Sequence, residues 1–240
     1  MRWRSPPRFG TVVRSFWRIG IAWVADFMMV VNVNFGLLRG KLGVVLAVVL
    51  AANAIDTLPA VAGSERHAHV FGATQPPPGW VDFCARQPSE CAGPTTVPTE
   101  LDLSWGAWMD LVRINTWVNK TIKPLTDIEH WGMVDRWSYP DDGYGDCEDY
   151  VLLKRRMLIQ SGWPREALLV TVVRNEKDEG HAVLTVTTDQ GEYILDNQNN
   201  GILLWSETRY QFVKRQSQAD PNVWVSLSNQ QPATATVTSR

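Results

Sequence analysis

Between about Leu101 and Lys123 apolar residues recur at helical spacing, and Trp108, Leu111, Val112, Asn115, Val118 and Ile122 fall on one face. Pro124 cannot continue a helix and ends it. A second helix is predicted from Cys147 to Ser161, stopped by Gly162 and Pro164. Val151 and Leu158, with Tyr150, Leu153 and Met157 on adjoining rows, form its core face. Lys154, Arg155 and Arg156 read as a solvated basic stretch suited to the negative end of the helix. The period then falls to two. ALLVTVVR (167–174), HAVLTVT (181–187) and EYILD (192–196) are strand-like runs, separated by turns at 175–180 and 189–191. Shorter strands are expected at 202–205, 209–214 and 223–227. Helices followed by an antiparallel meander make the fold class α+β.

The flanks lack these periods. Residues 63–79 include three consecutive prolines, Pro76 to Pro78, and read as a linker or extended arm. Residues 91–99 are a Pro/Thr-rich loop, and 131–145 an aromatic, Gly- and Asp-rich loop. From Ser228 the chain is of low complexity and is expected to be disordered, which leaves one domain at 80–227 and a tail at 228–240.

Composition and charge refine this outline. The chain has 240 residues, 45% hydrophobic and 20% charged, which excludes collagen-like, coiled-coil and wholly disordered classes. Its net charge of −2 averages two unlike parts, +5 over residues 1–62 and −7 over the remainder. An acidic domain has no basic face for nucleic acid, so no nucleic-acid partner is expected. In the basic part, Arg39 and Lys41 precede a 13-residue apolar run, Leu42 to Ala54, and Ala60-Val61-Ala62 follows as a small-residue cleavage site. That order describes a secretory signal peptide, and the run is too short to cross a ~30 Å hydrocarbon core as a helix. A buried helix and an uncleaved anchor remain the alternatives, and the membrane is met only through this leader if it is uncleaved. Residues 1–38 are long for an n-region. Met28 or Met29 marks an internal start, or the segment is a real extension in which Arg14 and Arg18 accompany Phe16, Trp17, Ile19 and Trp23.

Export implies an oxidising compartment, where Cys84 and Cys91, on a loop punctuated by Pro88, are most simply a disulfide. Cys147 is then the odd thiol, either buried and inert or kept for its reactivity. It opens the second helix within Asp146-Cys147-Glu148-Asp149. The partial positive charge and free N–H groups of a helix N-terminus favour a thiolate and can bind an oxyanion. Five carboxylates at 141, 142, 146, 148 and 149 oppose this, because like charge raises a thiol pKa. Those acids are solvated caps, or a cation neutralises them; hard oxygen ligands in an exported protein suit Ca²⁺. If Asp189 and Gln190 form the hairpin tip, His181 faces Gln198 and Asp196 is its diagonal neighbour on the same face. Such neighbours lie roughly 7–8 Å apart at Cα, within reach of a carboxylate orienting an imidazole. A Cys–His–Asp triad stands here beside a purely structural role for the same residues. The chain has no H-E-x-x-H, P-loop, dinucleotide fingerprint or G-x-S-x-G, and most of the nine tryptophans after Gly63 are read as core.

GYGDCEDY (143–150), GHAVLTV (180–186) and YILDN (193–197), with WVDFCARQPSEC (80–91), resemble the bacterial transglutaminase-like cysteine peptidases, whose best-known members are LapG-type periplasmic adhesin proteases. The resemblance covers 80–227. It implies a papain/transglutaminase-like fold with Cys147 as nucleophile, His181 as base and Asp196 as its orienter. It further implies Ca²⁺ held by Asp146 and Glu148, a protein substrate of the large surface-adhesin kind, and an inner-membrane cyclic-di-GMP receptor as partner. The expected protein is a periplasmic, calcium-assisted cysteine endopeptidase. Its rivals are an acyl transferase or amidase using the same triad, and a catalytically idle calcium-dependent binding module.

Overall fold

The computed structural model describes residues 65–92 and 97–229. The expected signal peptide with its Ala60-Val61-Ala62 site, and the tail beyond Asn229, lie outside the described residues. In chain order the elements are β1 (Gly72–Thr74), α1 (Pro78–Arg86), α2 (Pro88–Cys91), α3 (Trp105–Thr121), β2 (Lys123–Pro124), α4 (Asp127–Trp131), β3 (Tyr144–Gly145) and α5 (Cys147–Gln160). The strands β4 (Leu168–Arg174), β5 (Gly180–Thr188), β6 (Gly191–Leu195), β7 (Leu203–Leu204), β8 (Gln211–Gln216) and β9 (Trp224–Ser226) follow. A seven-stranded antiparallel sheet in the order β1-β9-β8-β4-β5-β6-β7 carries α3 and α5 on one face, in an α+β fold. No helix among the described residues is long and apolar enough to cross a membrane.

The core lies between helices and sheet. Leu111, Ile114 and Val118 of α3 meet Val151, Leu152 and Leu158 of α5 over Leu168, Val170 and Val172 of β4 and Ala182, Leu184 and Val186 of β5. Leu158 has no exposed surface, and truncating such a residue to alanine costs about 2–5 kcal/mol. The opposite face of the sheet holds a smaller cluster in which Val173, Val183 and Ile194 pack against Trp205, Tyr210 and Phe212. With both faces covered, β5 is buried along nearly its whole length rather than alternating.

Local signals fix the helix ends. The Ser104 side chain accepts the Ala107 N–H at the start of α3. Thr126 and Glu129 form a capping box on α4, which ends at Gly132 in the left-handed region. Ahead of α5, Gly145 leaves no room for a side chain, since a Cβ there would sit 2.7 Å from the Asp149 side chain.

Several expectations are refined or corrected. Of the two readings of residues 63–79, the extended arm describes 72–74, which dock on the sheet: β1 pairs with β9, and the Glu192 carboxylate accepts the Ala68 N–H at 3.0 Å while bridging to Arg215. The Cys84–Cys91 disulfide is present but joins two short helices rather than lying in a loop, because Pro78 and Pro88 each supply a preset φ at a first helical turn. α3 begins at Trp105, and Ile114 takes the core position expected of Val112. The basic stretch of α5 is not solvated. Lys154 and Arg155 are buried, because α5 is covered by α3, the sheet and the disulfide segment. Of the tryptophans, Trp80, Trp137, Trp163 and Trp224 are buried, whereas Trp105, Trp117 and Trp131 stand exposed.

Candidate active site

Three elements bring the candidate residues to one cleft of about 980 Å³, which Cys147, Asp196 and Tyr210 help to line. α5 supplies Cys147 at its first position, following Asp146 at the N-cap. The β5–β6 hairpin supplies the other two, and its pairing of Leu184 with Leu195 is the register expected from a turn at Asp189-Gln190. Extended past β6, that register brings His181 Nε2 to 2.9 Å from Asp196 Oδ1. His181 Nδ1 faces Gln198 Nε2 at 3.4 Å. The sulfur of Cys147 accepts the N–H of Ala182, which sets it against the strand residue that follows His181.

Asp196 is almost fully buried and well supplied with donors. Its Oδ1 also accepts the Gln198 N–H at 3.0 Å, and its Oδ2 accepts the Tyr210 hydroxyl. Burial pulls its pKa upward, but the His181, Tyr210 and Gln198 bonds outweigh that and hold the carboxyl below its ordinary range. Its backbone carbonyl is held from α3, where Asn119 Nδ2 donates to it at 2.8 Å and to Asn200 Oδ1 at 2.8 Å.

The surroundings of Cys147 are anionic. Its thiol donates to Glu148 Oε2 at 3.1 Å, and burial, then Glu148 and Asp146, push its pKa well up. The five nearby acids divide. Asp141 and Asp142 point outward and pair with Arg156 and His130. Asp149 turns back to accept the Ser138 N–H at 2.7 Å, and burial with Asp146 beside it pushes its pKa up to about 8. Asp146 and Glu148 converge with Asp127, from the first turn of α4, on a buried group whose ligand oxygens all lie within 4.8 Å of one another. Burial and Asp146 raise Asp127 to about 6; burial and the same neighbour raise Glu148 well above its usual range. Glu148 Oε1 is buried without a hydrogen-bond partner. Three buried carboxylates that resist ionisation together, one with an unused oxygen, are a donor set that fits a hard cation such as Ca²⁺.

Spacing gives no sign of Asp127, Tyr210 or Asn119. Asp127 looks like an ordinary first-turn acid beside its capping threonine, and the other two act from separate elements.

The family model for bacterial transglutaminase-like cysteine proteinases matches residues 70–232. Among solved structures, Legionella pneumophila LapG is similar at 27% identity over 51% of this chain and 70% of its own, with a TM-score of 0.43. The calcium-bound form of that protein is similar at 24% identity over 53% and 74%, with a TM-score of 0.44, and the EGTA-treated form at 28% over 45% and 62%, with a TM-score of 0.40. No curated protein matches the chain. The family match takes in the disulfide segment, α5, the hairpin and β8, so the chain belongs to the bacterial transglutaminase-like cysteine proteinases and is a cysteine peptidase acting on protein.

Proposed function

We propose that this peptidase is a calcium-assisted endopeptidase whose catalytic triad is Cys147, His181 and Asp196. The observation that carries the reading is the buried 2.9 Å contact between His181 Nε2 and Asp196 Oδ1, with Cys147 at a helix N-terminus bound to the N–H of Ala182. Asp196 takes the Nε2 proton of His181 as a hydrogen bond and so leaves Nδ1 as the basic nitrogen. Nδ1 accepts the Cys147 proton, and the sulfur attacks the scissile carbonyl. The N–H of Cys147 at the start of α5 is free to hold the developing oxyanion. His181 returns its proton to the leaving amine, and water hydrolyses the thioester.

Asp127, Asp146 and Glu148 would hold the ion. Bound there, Ca²⁺ offsets the carboxylate charge that otherwise raises the Cys147 thiol. The family resemblance supports a large surface adhesin as substrate, an exported periplasmic enzyme, and control by an inner-membrane cyclic-di-GMP receptor.

The test is incubation of the purified protein with the host's surface proteins, with Ca²⁺ and with chelator, and N-terminal sequencing of released fragments. Cys147→Ala is expected to abolish release while the melting curve is unchanged. Undiminished cleavage by that variant would sink the triad. Amine-linked adducts in place of new termini would identify acyl transfer instead.

A further inference from the structure

We propose that Tyr210 is a positioning residue for this triad, fixing the Asp196 carboxylate so that Oδ1 addresses His181. The inference rests on the triad reading above. A carboxylate orients an imidazole only if its own rotation is restrained, and the two oxygens of Asp196 are restrained differently. Oδ1 is shared between His181 Nε2 and the Gln198 N–H, whereas Oδ2 is held by the Tyr210 hydroxyl. Asp196 is 2% exposed, so with Tyr210 in place solvent does not compete for Oδ2. The phenol is itself seated. Tyr210 immediately precedes β8, and its ring packs with Trp205 and Phe212 on the Val173, Val183 and Ile194 cluster. Its ring centroid is 5.6 Å from that of His181, tilted by 50°. Asn119 holds the Asp196 main chain from α3 on the other side. Backbone and carboxylate are thereby fixed from α3 and from the segment entering β8, neither of which carries a triad residue.

The experiment uses the full chain with Ca²⁺ and follows alkylation of Cys147 by iodoacetamide by intact mass, for wild type, Tyr210→Phe, Asp196→Asn and the double variant. Tyr210→Phe keeps the ring and is expected to slow alkylation about tenfold, the scale of losing one charge-assisted orienting hydrogen bond. In the Asp196→Asn background the same change is expected to alter the rate by less than about twofold, because a residue acting through Asp196 has nothing left to orient. Proton NMR with ¹⁵N-labelled histidine should show a low-field His181 Nε2–H signal that broadens in Tyr210→Phe. Should that variant fold poorly, Tyr210→His restores a ring with an N–H donor and is expected to recover part of the rate. A Tyr210→Phe rate within twofold of wild type, or an equal loss in both backgrounds, overturns the proposal. If Asp196→Asn itself leaves alkylation unchanged, the triad reading has failed; if only Tyr210→Phe does, the failure is confined to Tyr210.

Discussion

Lys154 places an ammonium group two turns along α5 from Cys147, with no exposed surface and no hydrogen-bond partner for Nζ. Burial pushes its pKa down to about 7, and Asp196 offsets only part of that. Below pH 7 the folded protein therefore carries a charged amine with no hydrogen-bond partner, facing the Tyr150 ring at 6.0 Å. Between about 7 and the unfolded value of 10.5 the folded state releases a proton that the unfolded state keeps, so this group's contribution to stability rises with pH. Lys154→Met is expected to stabilise by on the order of 1–2 kcal/mol at pH 6. Chemical denaturation should show the gap to wild type closing towards pH 10; a constant gap would refute the account. Periodicity could not reveal this burial, because a run of three cations looks solvated until the elements covering it are known. The placement of Cys147 and His181 was legible for the converse reason. It depends on adjacent residues, a glycine-led helix start and a hairpin whose two-residue turn fixes the register.

At the scale of elements, the hairpin transmits sequence to site with the fewest intermediates. One turn sets the pairing of β5 with β6, and that pairing alone brings Asp196 to His181. The acidic cluster is different, since Asp127 reaches Asp146 and Glu148 only through the packing of both α4 and α5 against β3, which no local pattern encodes. The α1–α2 pair was hidden in the same way: a proline run reads as a breaker, yet Pro78 begins a helix. That pair is closed by the Cys84–Cys91 bridge, and α2 is tied to the domain through Arg165, which donates to the Glu90 carbonyl at 2.6 Å. Closing so short a loop restricts the unfolded chain by roughly 2–3 kcal/mol. Replacing both cysteines by alanine is expected to lower stability by about that amount without changing the His181–Asp196 contact. A far larger loss, or loss of folding, would mean that the bridge supports the core directly.

Across the whole molecule the acidic balance of the domain concentrates where three buried carboxylates meet. With no cation bound, Asp127 and Asp149 keep protons in the fold that the unfolded chain gives up near its ordinary carboxylate pKa of 3.8. Raised pKa values of this sign make the metal-free protein lose stability as pH climbs from about 4 towards 8. The increase in melting temperature on adding Ca²⁺ is therefore expected to be larger at pH 8 than at pH 5, and Asp146→Ala should abolish it. An increase independent of pH, or none, would remove the ion from this group. The arm before α1 acts at the same scale. Residues 72–74 cover the outer edge of β9, and the arm is tied down by Glu192 and by Trp205, whose indole N–H donates to the Glu65 carbonyl. Deleting residues 65–74 should uncover a strand edge and give concentration-dependent dimers on size-exclusion chromatography, whereas a strictly monomeric variant would refute this. The arm is in effect a donor strand supplied in cis: it occupies the edge that another molecule's strand could otherwise complete, and trimming past Thr74 would open that edge to a neighbour.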